Sequence, residues 1–121
     1  MPTILVLDDD AAARDALATT LRRLFAQARV LAAPGDAGLG VVAREGTSVV
    51  LASLAAAERL CRAEAPPGVP VVALTGEMSP DTLLRVEALG IAGAVRAPAG
   101  AGPLAAVIGP LLYAPPPRDH R

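Results

Sequence analysis

Short runs of apolar residues alternate along the chain with longer segments in which apolar positions recur at helical spacing. Five runs have the continuous apolar character of strands buried on both faces, at residues 4–7, 30–32, 49–52, 69–74 and 92–95. Five segments have the period of amphipathic helices, at residues 11–28, 37–44, 54–64, 79–89 and 103–112. This alternation predicts an α/β fold, a five-stranded parallel sheet doubly wound by helices on both faces.

Local signals predict where several of these helices begin and end. Asp10 precedes the first helix as a candidate N-cap, and Ser79 followed by Pro80 is typical of the start of the fourth. Gly109 and Pro110 should fray the last helix, because proline lacks the backbone N–H group that a helix uses.

The length of 121 residues fits one domain, and a composition of 53% hydrophobic and 19% charged residues excludes intrinsic disorder. We expect that domain to span residues 1–112. Residues 113–121 include three consecutive prolines, which predict an extended C-terminal tail.

The charged residues exclude several classes of function. All 11 basic residues are arginine, so lysine-based mechanisms such as Schiff bases and Walker A phosphate loops are excluded. The net charge is −1 and no basic run occurs, which argues against nucleic acid as a partner. We expect the single cysteine, Cys61, to be a small apolar side chain on a helix. The single histidine, His120, lies next to the C-terminus.

No apolar stretch reaches the about 18 residues needed to span a bilayer. The first residues lack the charged and apolar regions of a signal peptide. We therefore expect a cytoplasmic protein that makes no membrane contact.

Functional groups in open parallel sheets lie at the carboxyl ends of the strands, near the point where the strand order reverses. The predicted strand ends carry residues 8–10, 52–53, 74–75 and 96–98. Their polar members include the acidic doublet Asp8 and Asp9, followed by Asp10, and the hydroxyl residues Ser53 and Thr75.

The apolar run Ile4–Leu7 followed by this acidic doublet, with Arg14 on the next helix, resembles the opening of the response-regulator receiver domain of two-component signalling. The segments Ala73–Gly76 and Ala97–Pro98 follow in the family's order, and the resemblance covers residues 3–112. It implies the flavodoxin-like (βα)5 fold, and it also implies a cis peptide bond between Ala97 and Pro98.

A working receiver accepts a phosphoryl group on an aspartate at the end of the third strand, next to Mg²⁺ held by an acidic doublet. A lysine and a Ser/Thr hydroxyl contact the phosphoryl oxygens. The resemblance places Asp8 and Asp9 at the doublet and Thr75 at the hydroxyl position. It places Ser53 at the acceptor position and Ala97 at the lysine position, so both positions are degenerate.

Nothing nearby in the sequence replaces the missing acceptor. No Asp or Glu occurs between Glu45 and Glu58, and Ser53 has no neighbouring His or Lys to serve as its base. Ser53 and Thr75 are 22 positions apart, which is shorter than the family's usual spacing, so part of the loop over the phosphorylation site is missing. These departures predict an aspartate-less, pseudo-receiver type of domain.

The sequence allows two interpretations of the acidic doublet. In one, Asp10 caps the first helix while Asp8 and Asp9 are solvated and Arg14 pairs with an acid such as Asp10. In the other, Asp8 and Asp9 bind a divalent cation, but weakly, since Mg²⁺ gives up its water reluctantly and a third carboxylate is missing. We expect no cofactor beyond such weak Mg²⁺ binding, and a Thr75 hydroxyl that bonds locally.

The sequence thus predicts a non-enzymatic receiver-like domain that acts as a phosphorylation-independent protein-interaction module in signal transduction. The alternative is a sensor for a small ligand or divalent metal that uses the cleft around Asp8, Asp9, Ser53 and Thr75. A residual phosphotransfer acceptor is a further possibility, and it would require an additional carboxylate in the pocket.

The resemblance implies a partner or self-association surface on the fourth helix, the fifth strand and the fifth helix. The fourth helix carries two apolar stripes, formed by Leu83, Val86 and Leu89 and by Leu84 and Ala88. This apolar breadth exceeds what a core face needs, and Arg85, Glu87 and Arg96 offer polar contacts at its rim. The alternative interpretation is that these leucines only pack against the sheet.

Overall fold

The computed structural model describes residues 2–37, 46–62 and 69–113. In these ranges the chain forms five β-strands and four α-helices. The strands are β1 (Thr3–Leu7), β2 (Arg29–Ala33), β3 (Val49–Ser53), β4 (Val71–Thr75) and β5 (Gly93–Arg96). The helices are α1 (Ala11–Leu24), α2 (Leu54–Arg62), α3 (Pro80–Ala88) and α4 (Ala101–Leu112), and a 3₁₀ turn lies at Gly35–Ala37.

All five strands form one parallel sheet in the order β2-β1-β3-β4-β5, which confirms the predicted α/β class and the flavodoxin-like topology. The order reverses at β1, which pairs with β2 on one side and with β3 on the other. The carboxyl ends of β1 and β3 therefore flank the reversal point, where sheets of this kind usually bind their ligands.

The sheet is buried on both faces, which explains why its strands read as continuous apolar runs. Alternate residues of β1 face different layers: Ile4 and Val6 belong to one apolar cluster, and Leu5 and Leu7 belong to the other. The first cluster includes helix residues of α1 and α4, namely Leu17, Leu21, Leu104 and Ile108. The second includes helix residues of α2 and α3, namely Ala56, Ala57, Leu60 and Val86.

Two helix ends differ from the sequence prediction. The first helix ends at Leu24 rather than at residue 28, because the chain must turn after Phe25 to enter β2. The last helix continues through Pro110 to Leu112, so the predicted fraying does not occur. Leu112 is buried, and the Tyr113 N–H donates to the Gly109 carbonyl, so packing and this bond hold the last turn.

The other predicted helices and strands agree with the structure to within two residues where it describes them. Residues 38–44 of the predicted second helix and residues 114–121 of the predicted tail lie outside the described residues. In the described ranges, no helix is long and apolar enough to cross a membrane.

Candidate functional site

The fold brings four of the six predicted site residues to one cleft at the carboxyl edge of the sheet. Asp8 follows β1, Ser53 ends β3, and Ala97 and Pro98 follow β5, and all four line a cavity of about 300 Å³. Asp9 and Thr75 lie at the same edge but do not line this cavity.

Ser53, at the position that the resemblance assigns to the phosphoryl acceptor, serves the next helix. Helix α2 begins directly at Leu54, and the Ser53 hydroxyl oxygen accepts a hydrogen bond from the Ala56 backbone N–H at 3.3 Å. This is the geometry of a helix N-cap. This role was not among the predictions, although a serine directly before a predicted helix is a recognised sign of a cap.

Asp9 has two partners that were not predicted from the sequence. Its Oδ1 accepts a hydrogen bond from the Gly35 backbone N–H at 2.7 Å, and its Oδ2 lies 3.5 Å from Nη2 of Arg59 on α2. A Cβ atom on residue 35 would lie 2.5 Å from that Arg59 nitrogen, so glycine leaves the room for this arrangement. The side chains of Arg59 and Asp9 are both more than half exposed, so their ion pair stabilises the fold by about 1 kcal/mol or less.

The expected ion pair between Arg14 and Asp10 does not form. Asp10 instead caps α1, as predicted, through hydrogen bonds from the N–H groups of Ala12 and Ala13. Arg14 donates from Nη1 to the backbone carbonyl of Asp8 at 2.8 Å. The Asp10 carboxylate is thus engaged by the helix N-terminus, and Arg14 supports the backbone at the end of β1.

The doublet does not fit a tightly held Mg²⁺ ion. Asp8 Oδ1 accepts a hydrogen bond from the Asp10 N–H at 3.0 Å, while Asp9 is held by Gly35 and Arg59. No group of three or more His, Cys, Asp or Glu residues that could hold a metal occurs among residues 2–37, 46–62 and 69–113. Mg²⁺ requires a near-octahedral set of oxygen ligands, and two carboxylates with these other partners do not provide it.

The polar groups at the ends of β4 and β5 also form hydrogen bonds with nearby backbone groups. Thr75 is buried, and its hydroxyl donates to the Glu77 carbonyl at 2.8 Å and accepts from the Glu77 N–H at 3.2 Å. The Ala97 N–H donates to the Thr75 carbonyl at 2.8 Å. The Ala97–Pro98 peptide bond is cis, the isomer expected from the resemblance.

Cys61 is half-buried at the end of α2 and packs against the apolar cluster on that face of the sheet. Burial raises the pKa of its thiol above the ordinary value, so the thiol stays protonated at neutral pH. Cys61 therefore has the character of an apolar packing residue.

The residues of the predicted interaction surface differ in how far they are exposed to solvent. Val86 is buried against the sheet, but Leu83 and Leu84 are 43% and 64% exposed, so these two leucines do not cover the core. Arg85 forms an ion pair and hydrogen bond with Glu58 of α2. Arg85 is therefore engaged within the domain, although its side chain remains 56% exposed, and its contact with a partner stays a prediction.

No family model matches the sequence, and no curated protein matches it. Solved structures do. The signal receiver domain of the DNA-binding response regulator merR from Colwellia psychrerythraea 34H is 27% identical, with a TM-score of 0.77 over 92% of this chain and 98% of that chain.

The chemotaxis protein CheY4 of Vibrio cholerae is 21% identical, with a TM-score of 0.79 over 93% of this chain and 99% of that one. A putative pilus assembly protein (cpaE) from Burkholderia thailandensis E264 is 24% identical, with a TM-score of 0.73 over 92% and 98%. The chain therefore has the fold of response-regulator receiver domains, and this fold supports a role in response-regulator signalling.

Proposed function

We propose that this domain is an atypical receiver that works as a protein-interaction module in signal transduction, independently of phosphorylation and without enzymatic activity of its own. One observation carries the proposal: Ser53, which the resemblance assigns to the acceptor position, is not a carboxylate and already caps α2. A serine hydroxyl needs a base to become a nucleophile, and the chain has no lysine and only one histidine, at position 120.

The charges around the site support the same conclusion. Arg59 places a positive charge beside Asp9, and Ala97 offers no cation to an incoming phosphoryl group. A ligand shifts a conformational equilibrium only as far as it binds one state better than the other. With no covalent phosphate to bind, the domain keeps one arrangement of this edge, and its partner contacts are constitutive.

The partner surface that we propose is the α3 face, defined by the exposed residues Leu83, Leu84 and Glu87 of α3 together with Arg96 of β5. Two neighbouring exposed leucines on one short helix form an apolar centre, and the two charged residues supply its polar edge. A protein partner or a second copy of this chain covers the face. We place this activity in the cytoplasm, with neither nucleic acid nor a membrane as a partner.

Beryllofluoride tests the proposal, because it mimics a phosphoryl group only where an aspartate and Mg²⁺ can hold it. The ¹⁵N-labelled chain is titrated with beryllofluoride in the presence of Mg²⁺, next to a receiver domain that has the acceptor aspartate. We expect no saturable change in the amide signals of residues 53–56 or 75–77, and clear changes in the reference receiver. Saturable shifts in this chain at the same concentrations would contradict the proposal.

A further inference from the structure

The cavity of about 300 Å³ lies between α1 and the segment that follows β5, at the carboxyl edge of the sheet. Most of its lining is apolar, formed by residues that include Ala16, Leu17, Leu74, Ala97 and Pro98. Its volume is at the lower end of the range of small-molecule sites, about 300–1,000 Å³. Such a cleft suits the apolar body of a molecule with only a few heavy atoms.

The polar groups of the cleft differ in how fully their hydrogen-bonding capacity is used. The Thr20 hydroxyl donates to the Ala16 carbonyl at 3.1 Å, and the Ser53 hydroxyl accepts from the Ala56 N–H at 3.3 Å. These two hydroxyls are therefore already engaged by helix backbone groups. A ligand rich in hydroxyl groups would find few partners here.

Among the residues that the structure describes, Asp8 is the only charged one that lines the cleft. In the described part of the chain its carboxylate forms no ion pair and accepts one hydrogen bond, from the Asp10 N–H to Oδ1. Arg14 contacts the backbone carbonyl of Asp8. A carboxylate has room for about four hydrogen bonds, so most of the accepting capacity of Asp8 is left for a ligand.

We infer that this cleft binds a small monoamine, with the aliphatic stem along the wall formed by Leu17, Leu74 and Pro98 and the ammonium group donating to the Asp8 carboxylate. Charge complementarity selects the class: the described lining has one carboxylate and no basic residue, which favours a cation and disfavours phosphates and carboxylic acids. The apolar wall favours an alkyl stem over a hydrated ion such as Mg²⁺. This inference does not rest on the proposed interaction function.

The probe is n-butylamine, a primary amine that is protonated at neutral pH, added to the ¹⁵N-labelled full chain in a buffer free of other amines. We expect saturable shifts in the amide signals of residues 13–20 and 97–99. The neutral isostere n-butanol should need about tenfold more ligand for the same saturation, because it lacks the charge-assisted hydrogen bond to Asp8.

Two pairs of variants locate the site. Asp8→Asn keeps the acceptor atom for the Asp10 N–H but removes the charge, and it should weaken n-butylamine about tenfold while leaving n-butanol unchanged. Asp15→Asn, on an exposed position of α1, should change neither. Ala16→Leu narrows the cleft and should weaken both ligands, whereas Ala12→Leu, exposed on the same helix and outside the lining, should not.

Thermal melting of each variant shows whether its fold is retained, and Asp8→Asn tests the charge even if Ala16→Leu proves unstable. Equal binding of n-butylamine and n-butanol, or an Asp8→Asn chain that binds the amine as well as the original, would overturn the inference. Absence of saturable shifts with n-butylamine would overturn it as well.

Discussion

Nη2 of Arg59 lies 3.5 Å from Oδ2 of Asp9, although the two residues come from α2 and from the turn after β1. The same carboxylate accepts a hydrogen bond from the Gly35 N–H. Asp9 is one of two acids that the receiver resemblance assigns to Mg²⁺, and here a guanidinium group of the protein stands beside it. The charge of Asp9 is therefore compensated before any ion arrives.

This pair predicts weak Mg²⁺ binding that strengthens when Arg59 loses its charge. In the original chain, we expect a dissociation constant of about millimolar or weaker, because two carboxylates with other partners hold Mg²⁺ poorly. Arg59→Gln removes the repulsion between guanidinium and metal and should tighten binding a few-fold. Isothermal titration calorimetry or NMR titration with MgCl₂ measures both values.

Arg62→Gln is the matched control, since Arg62 is exposed on the same helix and pairs with Glu58 rather than with Asp9. Its Mg²⁺ affinity should equal that of the original chain. Micromolar binding in the original chain, or equal effects of the two substitutions, would show that Arg59 does not govern the charge at Asp9.

The capping bond of Ser53 predicts a stability effect that is independent of any signalling role. Ser53→Ala removes the acceptor for the Ala56 N–H and should lower the free energy of unfolding by about 1 kcal/mol. Ser53→Asp and Ser53→Thr keep a capping oxygen and should stay close to the original value. Urea denaturation followed by circular dichroism measures all four proteins, and an unchanged Ser53→Ala midpoint would contradict the capping role.

Much of the fold could be predicted because each strand is a short apolar run and the helices between the strands repeat their apolar residues at helical spacing. Asp10 and Ser79 signalled their helices, and both are N-caps in the structure. The capping role of Ser53 was also accessible in principle, since it stands directly before a predicted helix. The resemblance assigns the same residue to the acceptor position, and the prediction for Ser53 rested on that assignment alone.

The side-chain contacts between elements that are distant in sequence could not be predicted in the same way. The pairs Arg59–Asp9 and Arg85–Glu58 depend on how α2 lies against the 3₁₀ turn and against α3, and hydrophobic periodicity does not encode that placement. The path of α4 through Pro110 differs from the prediction for a related reason. Burial of Leu112 stabilises the last turn more than the local cost of proline weakens it.

Because Arg85 pairs with Glu58, reversing the charge of Arg85 should lower the free energy of unfolding. The Glu58 side chain is only 14% exposed, so Arg85→Glu would place a second carboxylate beside a largely buried one. We expect a loss of about 1 kcal/mol in unfolding free energy. Glu87→Arg, on the exposed side of the same helix, should leave stability nearly unchanged, and equal thermal melting curves for the two variants would contradict the pair.

The exposed leucines of the α3 face predict an effect on association and not on folding. Leu84 is 64% exposed, so Leu84→Glu should keep the original melting temperature while weakening self-association or partner capture about tenfold or more. Thr19→Glu, exposed on α1, is the control for a new surface charge. Sedimentation velocity measures self-association, and unchanged association in Leu84→Glu would place the interface on another surface.

The most direct measurement is the covalent state of the chain after incubation with a small phosphodonor such as acetyl phosphate in the presence of Mg²⁺. Intact-mass spectrometry under neutral conditions, with an aspartate-bearing receiver as the positive control, reports every phosphorylated molecule. We expect the reference receiver to gain a phosphoryl group and this chain to remain unmodified, because Ser53 is a helix cap rather than a carboxylate. A stoichiometric phosphorylated form of this chain would contradict phosphorylation-independent function if hydroxylamine removes its phosphoryl group. Such removal is the behaviour of an acyl phosphate.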